Sequence, residues 1–197
     1  MKHIIKCIVT LLLLVIVNTT SCFAATKYRV SFPKDYNVLL VGDSRTVGTM
    51  KTVDVDNIAY VCEVGQGYKW LNNKAQYDII QKTKPGTKVV FNLGVNDVSN
   101  KEWYKHMYNY LARTLQDRGC LVYFETVNPV SEKCNHPSNK DIDEFNSYMF
   151  KYLEGVSFIN TNDYLKNNGY ETVDGLHYTE DTTQKTFDYV SEVLALE

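Results

Sequence analysis

Ser44, Asp174 and His177 are the side chains whose types and positions could combine in nucleophilic chemistry. Ser44 follows Gly42 and Asp43 at the end of an apolar run, and Asp174 precedes His177 by three residues in the stretch Asp174-Gly175-Leu176-His177. A serine hydroxyl is a poor nucleophile near neutral pH, so Ser44 needs a base, and His177 is the best placed of the four histidines. Asp174 can accept a hydrogen bond from the other imidazole nitrogen, which fixes the tautomer and stabilises the imidazolium as it forms. Each residue also has a structural reading of its own. Ser44 could cap a helix, Asp174 could form a turn beside Gly175, and His177 could lie on the surface.

Residues so distant in the chain meet only if the intervening elements stack their ends along one edge. Five short apolar runs, 37–41, 58–64, 88–93, 120–127 and 156–160, are rich in Val, Ile, Leu, Phe and Tyr and mostly lack polar alternation, as strands buried on both faces do. Between them lie stretches with helical spacing. Trp103, Met107, Leu111 and Leu115 recur every four residues behind Ser99 and Glu102, a Ser-x-x-Glu pattern that predicts a capped helix with these four on its buried face. Ile142, Phe145, Met149 and Leu153 mark a helix ending near Gly155, and Phe187, Val190 and Leu194 mark a C-terminal helix that Thr179 would cap. Residues 68–83 carry a weaker helical pattern before the turn at Lys84, Pro85 and Gly86. This alternation predicts a single α/β domain, a three-layer α/β/α sandwich around a five-stranded parallel sheet, with ligands bound at the carboxyl ends of the strands.

The residues just beyond those ends are polar: Gly42, Asp43, Ser44 and Arg45 after the first run, Gly65, Gln66 and Gly67 after the second, and Gly94, Val95, Asn96 and Asp97 after the third, with Asp174 to His177 late in the chain. Four blocks in this order, Gly42-Asp43-Ser44, the turn at Gly67, Gly94-Val95-Asn96-Asp97 and Asp174-Gly175-Leu176-His177, resemble the SGNH hydrolase family, the GDSL-like esterases and lipases. The resemblance spans essentially all of residues 25–197. It implies a flavodoxin-like strand order, 2-1-3-4-5, and a triad of Ser44, His177 and Asp174 that cleaves esters without a cofactor or metal. It also implies an oxyanion hole made by the Ser44 N–H, the Gly67 N–H and the Asn96 side-chain amide. Arg45, next to the serine, is expected to contact substrate or to form a local salt bridge. Asp43 and Asp97 are expected to be structural, Glu125 and Glu171 solvated or structural, and His106 and His136 dispensable to the chemistry.

The composition narrows the partners. With 197 residues, 44% of them apolar, the chain can bury a core of its own, and a formal charge of −2 without a long basic run argues against a nucleic-acid partner. Residues 1–24 read as a secretory signal peptide: Lys2 and Lys6 precede the apolar run 8–17, and Ala24 marks the expected cleavage site. Its removal would leave 19 basic and 23 acidic side chains, a formal charge of −4, and no stable membrane insertion. An uncleaved anchor and a lipid-bearing Cys22 are the competing readings, the second weakened by Thr19 where such signals usually carry Leu. Beyond that segment Cys62, Cys120 and Cys134 permit at most one bridge within the chain. Cys134 and His136 lack the further ligands that a metal site needs.

The expected location is therefore secreted or cell-surface. Fifteen tyrosines and two tryptophans, without an obvious lid insertion, suit stacking on sugar rings at an open cleft better than a deep acyl tunnel. The expectation is an esterase removing small acyl groups, such as acetyl, from a glycan. Lipase, thioesterase or O-acyltransferase activity stays open within the same mechanism, and a non-catalytic glycan-binding member is the alternative of another class. The sequence sets no oligomeric state.

Overall fold

The computed structural model describes residues 29–196, so the expected signal segment, with Cys22, lies outside the described residues. Six strands form one sheet: β1 (Arg29–Ser31), β2 (Val38–Gly42), β3 (Ile58–Cys62), β4 (Lys88–Asn92), β5 (Leu121–Glu125) and β6 (Ser157–Ile159). Their order is β1-β3-β2-β4-β5-β6. The five strands expected from the apolar runs are parallel and follow the implied order. The expected count of five is corrected by β1, a three-residue edge strand antiparallel to β3.

Every residue of β2 and β3 is buried, which explains the unbroken apolar runs. Alternate side chains serve opposite layers. Leu39, Val41, Val89 and Phe91 face one core, while Val38, Leu40, Ile58 and Val90 face the other. Each such side chain contributes about 1.5–3 kcal/mol when fully withdrawn from water.

The first core is covered by α2 (Tyr68–Trp70), a π-helical turn (Leu71–Ala75), α3 (Gln76–Lys82), α4 (Lys101–Gln116) and α5 (Asn139–Tyr152). The second is covered by α1 (Ser44–Thr52) and α7 (Glu180–Leu194), with α6 (Thr161–Asn168) packed beside α7.

Two helix expectations need correction. The Ser99 capping pattern does not start α4; the chain enters it through a 3-10 turn, Val98–Asn100, and Glu102 instead accepts a hydrogen bond from the Tyr148 hydroxyl at 2.6 Å. Trp103 is not on the buried face. That face is made by Tyr104, Met107, Tyr108, Leu111, Ala112 and Leu115, and Trp103 is 59% exposed. Thr179 does cap α7, accepting from the Thr182 N–H, and a reciprocal capping box forms at Ser138 and Asp141.

Register fixes where the strands stop. Gly42 pairs with Cys62 on one side and with Asn92 on the other, so β2, β3 and β4 end in one row. The loops after them open on the same edge, at the point where the chain switches from one side of β2 to the other. Open α/β sheets bind ligands at such a switch point.

Candidate active site

A single residue, Asp43, separates the end of β2 from the start of helix α1. Asp43 is its N-cap, its carboxylate accepting from the Arg45 N–H at 3.0 Å, so the capping role considered for Ser44 belongs to its neighbour. Ser44 is left as the first helical residue. Its backbone N–H is one of the donors that a helix start leaves without an intrahelical acceptor, and its hydroxyl is free for other work.

The loop 172–178 supplies the other two groups. Thr172 and Tyr178 pair across it, and Val173 donates to the His177 carbonyl at 2.8 Å. Within this turn Asp174 Oδ1 accepts from the backbone N–H groups of Leu176 at 3.0 Å and His177 at 2.7 Å. Gly175 is required at the turn: its φ is +95°, and a Cβ there would press on the Cys134 backbone nitrogen. His177 Nδ1 lies 2.7 Å from Asp174 Oδ2, and Nε2 lies 2.9 Å from Ser44 Oγ. The three groups singled out in the sequence thus form one continuous hydrogen-bonded run. Burial alone would raise the Asp174 pKa, but the side-chain and backbone donors of His177 and the Leu176 N–H outweigh it and hold the carboxyl down at about 2.

On the opposite flank, Gly67 is the N-cap of α2, and the Asn96 amide nitrogen donates to the Gln66 carbonyl at 2.8 Å. Both lie in the loops that follow β3 and β4, whose ends are in register with the end of β2 just before Ser44. Gly67 has no room for a side chain, because a Cβ would run into the Asp97 carboxylate. That carboxylate braces the turn by accepting from Tyr68 N–H at 2.9 Å, Asn100 Nδ2 at 3.0 Å and the Tyr104 hydroxyl at 2.6 Å. Burial raises the Tyr104 pKa well above its usual value, so it stays a proton donor.

Arg45 does not form the local salt bridge that was one of its two expected roles, and it borders the cavity next to Ser44. Its side chain is buried, forms no ion pair among the described residues, and donates to backbone carbonyls: Nε and Nη2 to Leu176 at 3.2 and 3.0 Å, Nη1 to Asn128 at 2.8 Å, and Nη2 to Pro129 at 3.0 Å. The Tyr178 ring packs 4.7 Å from the guanidinium, and its hydroxyl donates to the Pro129 carbonyl. No spacing in the sequence announces this clamp, because its acceptors are main-chain oxygens about 83 and 131 positions away.

Beneath the serine lies a cavity of about 90 Å³ whose wall includes Ser44, His177, Leu40, Val90, Phe187 and Val190. Glu125 also borders it. Far from solvated, Glu125 is buried, accepting from Asn128 Nδ2 and Thr161 Oγ1 at 3.2 Å each, and burial raises its pKa. His106 is exposed on α4, and Cys134 donates to the His136 carbonyl. Among the described residues no group of three or more His, Cys, Asp or Glu could hold a metal ion, and no disulfide links Cys62, Cys120 and Cys134.

No protein-family model matches the sequence, and no curated protein matches it significantly. Solved structures do. A proposed SGNH hydrolase from Slackia heliotrinireducens has a TM-score of 0.63 at 13% identity, over 82% of this chain and 100% of that one. An acetylxylan esterase from Geobacillus stearothermophilus gives 0.61 at 16% identity, over 84% of this chain and 96% of that one. The C-terminal catalytic domain of peptidoglycan O-acetyltransferase A from Streptococcus pneumoniae gives 0.58 at 15% identity, over 82% and 93%. At such identities the likeness speaks for architecture, and the architecture of this chain is the SGNH hydrolase fold.

Proposed function

We propose that the chain is an extracytoplasmic serine esterase that removes small acyl groups, acetyl foremost, from a carbohydrate. The observation that carries this reading is the run Asp174–His177–Ser44, with contacts of 2.7 and 2.9 Å, ending at the start of α1. His177 Nε2 takes the Ser44 hydroxyl proton as Oγ bonds to the ester carbonyl carbon. The negative charge that develops on the carbonyl oxygen is met by the Ser44 and Gly67 N–H groups and the Asn96 amide, each donor of this kind worth about 3 kcal/mol in the transition state. Collapse breaks the bond to the leaving alkoxide, which receives the proton from His177, and leaves an acyl-serine. Water then gives a proton to His177 while its oxygen attacks the acyl carbon, and the carboxylic acid departs as Ser44 regains its proton. Asp174 orients the imidazole throughout and stays ionised.

A short acyl group is supported by the cavity of about 90 Å³ that Ser44 and His177 border, and the carbohydrate by the architecture shared with an acetylxylan esterase. Location outside the cytoplasm rests on the apolar segment 8–17. Among the described residues no helix is long and apolar enough to cross a membrane. Because the architecture is shared also with a peptidoglycan O-acetyltransferase domain, sugar hydroxyls could compete with water for the acyl-serine. The test is hydrolysis of 4-nitrophenyl acetate, longer 4-nitrophenyl esters and acetylated glycans by wild type and Ser44→Ala, with product analysis in the presence of free oligosaccharide. A rate indifferent to Ser44→Ala would refute the mechanism, a preference for long chains would refute the short acyl group, and acylated oligosaccharide as main product would make the enzyme a transferase. Labelling of Ser44 by an organophosphonate, lost in His177→Ala, separates an enzyme from a glycan-binding relative.

A further inference from the structure

We infer that Trp103 and Tyr68 form a stacking subsite for a pyranose ring next to the Gly67 turn, an inference that rests on the esterase reading above. Trp103 is the residue that departs from its helix pattern. It recurs with Met107, Leu111 and Leu115, all buried, yet is itself 59% exposed. A single exposed hydrophobic residue needs no explanation, but this one is paired. Its ring lies 5.9 Å from that of half-buried Tyr68, the two planes opened by 34°.

The pair is anchored to the oxyanion side of the site. Tyr68 directly follows Gly67, its N–H is held by Asp97 at 2.9 Å, and its ring meets the buried Tyr104 edge-on at 5.9 Å. Tyr104 in turn donates to the same carboxylate. Both rings therefore stand on rigid elements, α2 and α4, which lowers the ordering cost of binding.

The chemistry of the surround selects the ligand. The chain neighbours of the two rings are polar and half-buried or exposed: Gln66 and Lys69 flank the Gly67–Tyr68 step, Ser99 lies four residues before Trp103, and Asn96 donates to the Gln66 carbonyl. An acyl chain would need a continuous apolar trough. A pyranose presents an apolar C–H face, suited to the electron-rich face of an aromatic ring, and a rim of hydroxyls suited to amides and other polar groups. A sugar held there lies next to the Gly67 turn, through the Tyr68 that follows it, and the same turn holds the Asn96 amide through the Gln66 carbonyl.

The experiment compares kcat/KM for 4-nitrophenyl acetate, which has no sugar, with that for O-acetylated xylotriose, in wild type, Trp103→Ala, Trp103→Phe and Tyr68→Ala. Quenching of tryptophan fluorescence by unacetylated xylotriose is followed in Ser44→Ala and in Ser44→Ala/Trp103→Ala. The expected result is that Trp103→Ala loses about tenfold more on the oligosaccharide than on the nitrophenyl ester, chiefly through KM. Trp103→Phe should recover most of that loss, and quenching should vanish with Trp103. Equal losses on both substrates, or quenching that survives without Trp103, would overturn the subsite and leave the esterase reading intact. A change of oligomeric state in Trp103→Ala with no sugar effect would make the patch a protein interface instead. A wild-type chain inert on every ester would remove the esterase reading and the subsite with it.

Discussion

Arg45 donates from both Nε and Nη2 to the carbonyl oxygen of Leu176, the residue immediately before His177. The residue after the nucleophile is thereby tied to the residue before the base, across 131 positions of chain. The remaining donors reach Asn128 and Pro129, so the same guanidinium also secures the loop after β5. A planar fork can serve three carbonyls at once, whereas a lysine ammonium on a flexible stem cannot reproduce that geometry.

Arg45→Lys should therefore lower kcat on 4-nitrophenyl acetate by about a hundredfold, the cost of misplacing a reacting group by about an ångström. KM should change less than kcat, because four of the five guanidinium N–H donors are already given to main-chain carbonyls. Steady-state kinetics beside a thermal melt distinguish positioning from simple instability: a folded Arg45→Lys protein with wild-type kcat would show that the clamp is not needed. Failure of the variant to fold can be bypassed with Tyr178→Phe, which removes only the hydroxyl contact to Pro129 and should lower kcat less.

Asp174 is held at about 2 by its donors, so it remains ionised through any practical assay range. Activity should rise as the medium is made less acidic, because the imidazole must be neutral to act as base. Asp174→Asn should cut kcat by up to about 10⁴-fold, because an amide can favour the wrong imidazole tautomer. A rate flat from acid to neutral pH would contradict the assignment of His177. The stability effect of Asp174 has the usual carboxylate sign: present above its unfolded pKa, it disappears as pH falls towards 2, and it is small because the side chain is half exposed and screened by solvent.

Asp43 behaves in the opposite sense. It is fully buried, one carboxylate oxygen finds no partner among the described residues, and burial, only partly offset by the Arg45 N–H and charge, raises its pKa from 3.8 to about 6. The folded chain thus holds this proton more tightly than the unfolded one. Stability from this group is complete below about pH 4 and falls as pH rises to about 6, a loss on the order of 3 kcal/mol at neutral pH. Asp43→Asn keeps a cap oxygen for Arg45 and removes the buried charge. The difference in Tm between variant and wild type should shift in the variant's favour between pH 4 and 6, and differential scanning calorimetry across that range would reveal a constant difference if the carboxyl were not buried and charged.

Much of this was legible in the sequence for local reasons. β2 and β3 were visible because residues buried on both faces leave no polar alternation, and Asp174 with His177 because three residues span one turn. What escaped notice depends on tertiary partners. β1 has only three residues and no apolar run, so nothing but its pairing with β3 defines it. A stripe at every fourth residue drifts around α4, since 3.6 residues complete a turn, so Trp103 falls off a buried face that takes Tyr104 and Tyr108 instead. Arg45 stands beside the serine as its position requires, but its grip on main-chain carbonyls could not be foreseen, since carbonyl acceptors carry no signature in a side-chain sequence.

Asp97 also works at a distance, and it supplies the sharpest test of the oxyanion arm. Its carboxylate lies where a Gly67 side chain would be and holds the Tyr68 N–H one residue further on, so it sets the direction of the Gly67 N–H without touching substrate itself. Asn96→Ala removes a donor outright and should lower kcat by about a hundredfold or more with KM little changed. Gly67→Ala forces the carboxylate away and should cost a similar factor. Asp97→Asn keeps one acceptor oxygen and should fall between these variants and wild type, while Asp97→Ala leaves the buried Tyr104 hydroxyl unpaired and adds a stability loss of about 1–3 kcal/mol. If the arm acts as one unit, combining Asp97→Asn with Gly67→Ala should cost little more than Gly67→Ala alone. Fully multiplicative losses in that double variant would mean that Asp97 acts on the reaction by some route other than the Gly67 turn.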